Sequence, residues 1–514
     1  MAHLSGYDSE AVGFNSITQK KNTDTHSSTQ TTEYSETTVD SQTHTSRDYG
    51  CNVSSQDLKI DVEATEYPPP GLNEFLRRVV PAVMEQLDQT AIDSLYDSSD
   101  SEEEDFLCAK LFQEIQVKEN APSLGAGDHQ PSSILSVSWS SAGNSVAVSL
   151  GQSQHENWCE HDGLIRIYTA RRIEGDKFVH NMDITEKNCI TVLKYHPAVA
   201  ALLAYGTTSG EVVLCNLRNV TAGVEHGMQL TSPSGTHSSN RVTALQWADA
   251  TLTNTFLLMQ VMNTGKRRGA ADQVLISAGC DGTVNVWQVN VNLQVFQNIL
   301  CFKINGARKM AAPEISCFDF IKNYPLRPSE QKSPEDIFVV GTTSGQLYLC
   351  NSKKYQSIVD SAMVDPVYEV LEGHSTCVLD VAFSLQKAGI FVSISMDSEL
   401  RVYDVQQSAP LKVLCMEDAI TSMCWVPNNP CLLAVGLANV EKTRQLIKIY
   451  NVSSGKAVNM EGLNGGNSEG GTVTSVAVSQ SGACRIAAGD ADSTLRIWDV
   501  PLRRLKLTSE ALEF

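Results

Sequence analysis

Tyr205-Gly-Thr-Thr-Ser-Gly-Glu-Val-Val-Leu-Cys-Asn216 recurs nearly unchanged as Val340-Gly-Thr-Thr-Ser-Gly-Gln-Leu-Tyr-Leu-Cys-Asn351. Each copy reads as a strand end built from small residues, a tight turn, and a strand that alternates inward and outward. Two further copies end in Asp281-Gly-Thr-Val-Asn-Val-Trp287 and Asp492-Ser-Thr-Leu-Arg-Ile-Trp498. Registering the chain on the last aromatic or Cys of that strand yields seven units, marked by Tyr168, Cys215, Trp287, Cys350, Tyr403, Tyr450 and Trp498. An apolar alternating strand precedes each, beginning near Ile134, Ile190, Val242, Ile315, Val378, Ile420 and Val473. The mean step is 55 residues, against roughly 40–45 for a bare four-stranded repeat. The excess falls in polar insertions at Val220 to Asn240, Thr251 to Asp272 and Asn323 to Asp336.

Composition bounds what such a chain does. Its 514 residues are 42% hydrophobic and 19% charged, the profile of a globular polypeptide long enough for two or three domain-sized units. The first residues have neither a basic start nor an apolar core, and the apolar run Ala198 to Tyr205 is too short to span a bilayer, which speaks against secretion and direct membrane insertion. Fourteen cysteines are scattered without a CxxC and read as buried thiols in a reducing compartment. Of the net charge of −20, residues 1–130 supply most, with 8 Lys+Arg against 24 Asp+Glu. An acidic tail on a near-neutral body argues against nucleic acid and acidic lipid as partners, because both are held by clustered Lys and Arg.

Four segments follow. Residues 1–66 hold few aromatics and no periodic apolar pattern, with 18 Ser or Thr among the first fifty, and are expected to be disordered when alone. Residues 67–95 open with Pro68-Pro69-Pro70 and continue as an amphipathic helix whose apolar face is Leu72, Phe75, Leu76, Val79, Val83 and Leu87; Asn73 is placed to cap it and Pro81 to kink it. Residues 96–130 are an acidic linker, Asp97-Ser-Ser-Asp-Ser-Glu-Glu-Glu-Asp105, followed by a short helix from Phe106 to Val117. Ser98, Ser99 and Ser101, each followed by acidic residues, are candidate phosphorylation sites. Residues 131–514 carry the seven repeats.

No catalytic constellation emerges. His374 and Asp397 fit a structural pair within the repeat better than an acid–base pair. The Gly-Thr-Thr-Ser-Gly stretches lack the Lys of a phosphate loop and lead into a strand, so they are hairpin turns. Cys159-Glu-His161, with His155 nearby, does not match a structural zinc spacing and is read as an insertion loop. Lys266-Arg267-Arg268 is a solvated insertion, and the glycosylation sequons at Asn52, Asn219 and Asn451 are without consequence in an unsecreted chain. Catalytic, cofactor and metal sites are therefore expected to be none.

The fifth unit, with Gly373-His374, Phe391-Val-Ser-Ile-Ser-Met-Asp397 and Leu400-Arg-Val-Tyr-Asp404, resembles a WD repeat. That resemblance implies a seven-bladed all-β propeller and a network in which His374, Ser393 and Asp397 bond to the aromatic position, here Tyr403. In the tail, Thr29-Gln30-Thr31 and Ser41-Gln42-Thr43 match the short motif that adds an edge strand to dimeric dynein light chains. The order of paired motifs, helix, acidic linker and propeller resembles the dynein intermediate chains. Leu72-Asn-Glu-Phe-Leu-Arg-Arg78, Ser138-Trp139-Ser-Ser-Ala-Gly143, His155-Glu-Asn-Trp158 and Tyr195-His196-Pro197 followed by Ser209-Gly210-Glu211-Val212 narrow this to the type found in cytoplasmic dynein 2, the ciliary retrograde motor. The resemblance implies a non-catalytic scaffold that docks on a dynein heavy chain. Its light-chain partners would be of the eight-kilodalton and roadblock classes, beside a second WD-repeat intermediate chain. It would reside in cytoplasm, cilium or flagellum and basal body, on the cytoskeleton. An axonemal intermediate chain, or a propeller adaptor for ubiquitin ligation or chromatin, are the other readings of the same residues.

Overall fold

The computed structural model describes residues 72–81, 84, 107–117 and 132–501, except 154–158, 160, 172–176, 220–227, 265–270, 307–311, 323–336, 354–355, 358–362, 386, 388, 428, 430, 439–444, 466–470 and 481–483. The chain divides into two compact units, Met1–Glu103 and Glu104–Phe514. In the first, residues 72–81 and 84 are helical, so the helix runs into Pro81. Phe75, Leu76, Val80 and Met84 on it are between 42% and 51% exposed. The two Gln-centred motifs lie outside the described residues.

The second unit is a seven-bladed β-propeller of antiparallel blades. Blade one is Ser133–Trp139, Ser145–Gly151, Gly163–Arg171 and Lys177–Glu186. Blades two to six begin with Ile190–Tyr195, Val242–Trp247, Ile315–Phe320, Val378–Phe383 and Ile420–Trp425. The seven marker residues of the third strands are all buried. Each faces a second-strand apolar residue, as in Trp287 with Leu275 and Tyr403 with Phe391. Blade three is extended to six strands by Val364–Asp365 and Gln356–Ser357, which loop back from blade four.

Adjacent blades lock by a recurrent close approach. A Cβ added at Gly206, Gly341, Gly436 or Gly489, near the end of a second strand, would fall 2.3–2.8 Å from a side-chain carbon of Val242, Val378, Val473 or Ile134, which start the next blade. The small residues that mark the repeat are thus a steric requirement of stacking neighbouring sheets. Tryptophans of the first strands reach back the other way. Trp139, Trp247 and Trp425 each donate Nε1–H to a carbonyl of the preceding blade's first strand, at 3.1–3.2 Å.

The seventh blade corrects the expectation for residues 96–130. The segment expected to be a helix from Phe106 to Val117 is two strands, Leu107–Cys108 and Lys110–Gln116. The second supplies the outer strand beside Val473–Val478, Arg485–Asp490 and Thr494–Asp499. The blade strands therefore start at Lys110, not at residue 131. Lys110-Leu-Phe-Gln-Glu-Ile-Gln116 is short and reads as helix or strand alone; an open sheet edge on the last blade decides it, since pairing satisfies a full row of backbone groups. The strand also grips blade one. Gln113 exchanges two bonds with the Phe178 backbone, at 2.9 and 2.8 Å, and Arg166 Nη1 donates to the Val117 carbonyl at 2.6 Å. Arg485 lies 4.1 Å over the Phe112 ring.

Two of the expected insertions are also blade structure. Within Val220 to Asn240, Met228–Thr231 is the fourth strand of blade two. Within Thr251 to Asp272, helix Ala250–Thr264 packs Leu252, Phe256 and Leu257 into a core shared by blades three and four. Among the described residues no helix is long and apolar enough to cross a membrane, and of the thirteen cysteines Cys108 and Cys415 are exposed.

Candidate functional site

The residues singled out in blade five are only partly joined. His374 Nε2 lies 2.7 Å from Ser393 Oγ, whereas His374 Nδ1 stays 3.5 Å from Asp397 Oδ1, beyond a good hydrogen bond. Asp397 instead accepts from the N–H and hydroxyl of Ser375 and from the N–H of Glu399. Tyr403 does not enter the chain: its hydroxyl donates to the Glu372 carbonyl at 2.6 Å. A phenol carries its donor at the far end of the ring, past the point where an indole N–H would meet the serine.

The full network is in blade three, where sequence reasoning did not place it. Trp287 Nε1–H donates to Ser277 Oγ at 2.8 Å, and that hydroxyl lies 2.8 Å from His237 Nε2. The Asp281 carboxylate only accepts, so Nδ1, 3.3 Å away, is the donor to it, and Nε2 meets the Ser277 hydroxyl. Burial raises the Asp281 carboxyl, but the bonds from His237 and Thr283 outweigh it and hold it below the usual carboxylate range. The signal was Gly235-Thr-His237, one residue longer than Gly373-His374. The extra residue is absorbed by a left-handed turn in which His237, Ser238 and Ser239 have φ of 50°, 51° and 59°. Such backbone is strained for non-glycine residues and holds only where neighbours fix it.

Neither imidazole–carboxylate pair is a reaction centre. Both histidine side chains are fully buried, and Glu399, the third group near His374, is held by Arg401 at 2.7 Å. A general base must reach a substrate proton, and these do not. A depression of about 260 Å³ is lined by residues of blades one to five, among them Gln152, Thr191, Arg241, Ser316 and Cys377. Its one cation, Arg241, stands beside Glu314 and the Cys280 and Cys377 thiols, without a nucleophile–base pair. What the described residues offer is surface: a rigid ring, and a helix on which Phe75, Leu76, Val80 and Met84 are exposed.

A family model for the WD domain, G-beta repeat, matches residues 365–404 and 463–499, which hold the first three strands of blades five and seven. The chain carries WD40 repeats. Cytoplasmic dynein 2 intermediate chain 2 of Homo sapiens is 19% identical over 454 residues, covering 85% of this chain and 77% of that protein. Gem-associated protein 5 of Homo sapiens is 23% identical over 295 residues, covering 49% of this chain and 18% of that protein. The WD-repeat propeller and the first of these matches point to a non-catalytic scaffold distantly related to a dynein intermediate chain.

Proposed function

We propose that this chain is a non-catalytic intermediate-chain subunit of cytoplasmic dynein 2, working in retrograde intraflagellar transport in cilia. The observation that carries the reading is the extent of the match to Cytoplasmic dynein 2 intermediate chain 2. It covers 85% of the chain, more than residues 107–514 supply, so the likeness reaches past the blades into the preceding segment. The match to Gem-associated protein 5 covers only 49% of the chain, as a shared repeat alone would produce.

In this mechanism the propeller docks on the heavy chain and the preceding segment gathers light chains. A closed ring whose blades leave only short outer edges is a rigid docking body. Leu72, Phe75, Leu76, Val79, Val83 and Leu87 present an apolar helix face to a light chain of the roadblock class. Thr29-Gln30-Thr31 and Ser41-Gln42-Thr43 pair as edge strands with the eight-kilodalton dimers, whose two grooves bind this chain and a second intermediate chain by avidity. Phosphate on Ser98, Ser99 or Ser101 would stiffen an already self-repelling linker.

Co-expression of the full chain with both light-chain classes tests the assignment. Gln30→Ala with Gln42→Ala should release the eight-kilodalton class, and Phe75→Ala with Leu76→Asp the roadblock class, each without loss of the other. Failure of the intact chain to retain either class overturns it.

A further inference from the structure

Two loops from neighbouring blades gather three metal-ligating side chains. Cys159 and His161 come from the connection between the second and third strands of blade one, and Cys189 stands just ahead of Ile190–Tyr195 in blade two. One sulfur from each cysteine and one imidazole nitrogen lie within 4.8 Å of one another. The third donor comes from a segment that no local pattern would have joined to it, which is why the sequence alone reads this loop as metal-free.

The surroundings favour thiolates. Cys189 N–H donates to Cys159 Sγ at 3.2 Å, and Gln152 N–H donates to Cys189 Sγ at 3.4 Å. Amide bonds to sulfur stabilise the deprotonated form and orient a ligand. As thiols, both S–H groups reach one oxygen, the His161 carbonyl, at 3.6 and 3.9 Å. The exposure is graded as a site requires: Cys189 is buried, Cys159 half-buried and His161 exposed. Gly151 keeps the floor clear, since a Cβ there would meet Cys189 Sγ at 3.1 Å.

We propose that Cys159, His161 and Cys189 bind a single zinc-class divalent cation, with water in the fourth position. Two thiolates neutralise the dication, and a sulfur–sulfur–nitrogen set suits a borderline-soft ion in tetrahedral geometry. The bound ion ties the loop of blade one to the first strand of blade two.

Metal-free, reduced full-length protein titrated with Co²⁺ under anaerobic conditions tests this through thiolate-to-cobalt charge-transfer and tetrahedral visible absorption. One equivalent should saturate the signal and Zn²⁺ should abolish it. Cys159→Ser, Cys189→Ser and His161→Ala should each weaken Co²⁺ binding at least about tenfold, the loss that even outer-shell partners cause. Cys108→Ser and Cys415→Ser should leave it unchanged. His161 is exposed, so His161→Ala keeps the test open even if a serine at 189 impairs folding. Absence of the thiolate–cobalt signal in the intact protein overturns the site, as does its persistence in both Cys159→Ser and His161→Ala. Recovery of Cys159 and Cys189 as a disulfide, with no Co²⁺ signal after reduction, also overturns it.

Discussion

Leu111 stands opposite Trp498 in an antiparallel pair that joins a segment ahead of the first blade to the last strand of the seventh. Trp498 is fully buried and belongs to the core shared by blades six and seven. Leu107–Cys108 extends the clasp by pairing in parallel with Met460–Glu461 of the sixth blade's loop. Ring closure thus depends on residues that come directly after the acidic run in sequence and ahead of the first blade.

Truncation tests this closure. A chain beginning at residue 104 should keep the melting temperature of the full chain. One beginning at residue 118 exposes the edge of Thr494–Asp499, uncovers the core at Val117, and leaves Arg166 without the Val117 carbonyl. Its melting temperature should fall by about 5 °C or more, by the usual conversion of a few kcal/mol, and it should aggregate through the open edge. Equal melting temperatures for both truncations would contradict the closure.

The two histidine networks should differ in worth. His237→Ala removes the bonds to Ser277 and Asp281 together and should cost about 2–4 kcal/mol in chemical denaturation. His374→Ala removes one good bond, because Nδ1 has no hydrogen-bond partner, and should cost about 1–2 kcal/mol.

Acid acts on stability through opposed groups. Burial lowers His196 to about 4, and its Nδ1 accepts N–H bonds from Ala198 and Val199 at 3.0 and 2.9 Å, which needs the neutral ring. The unfolded chain binds that proton near pH 6.5 and the folded chain does not, so this contribution is complete above 6.5 and is lost as pH falls toward 4. Burial pushes the Asp380 carboxyl up to about 7, with Lys194 opposing and Asp319 adding. That group favours the fold in acid and loses its contribution as pH rises from about 4 to 7. His196→Asn should therefore steepen the loss of stability on going from pH 5 to 8, and Asp380→Asn should flatten or reverse it. Parallel pH profiles for both variants would contradict these assignments.

Blade stacking makes one further demand. Gly489→Ala places a Cβ 2.3 Å from Ile134 Cγ2 and should cost about 1–3 kcal/mol by overpacking. Ile134→Ala added to it should recover part of that loss, a coupling that a double-mutant cycle reads directly.

The propeller was legible because each unit repeats a two-residue alternation ending on one buried marker, so the seven markers from Tyr168 to Trp498 could be registered by eye. Lys110–Gln116 was not legible, since a seven-residue segment takes its structure from the edge it pairs with. His237 escaped because one added residue after Gly235 is absorbed by a left-handed turn. The network expected at Tyr403 followed a tryptophan geometry that a phenol does not reproduce. Cys189 joins Cys159 and His161 only through the contact of two blades, and no spacing along the chain encodes that.

Affinity purification from ciliated cells tests the central claim most directly, comparing the full chain with a variant carrying Gln30→Ala, Gln42→Ala and Phe75→Ala. A dynein 2 heavy chain and both light-chain classes should accompany the intact chain, and the variant should keep the heavy chain through its propeller while losing the light chains. Recovery of the intact chain with neither heavy nor light chains would contradict the assignment and leave a seven-bladed WD-repeat scaffold with another partner.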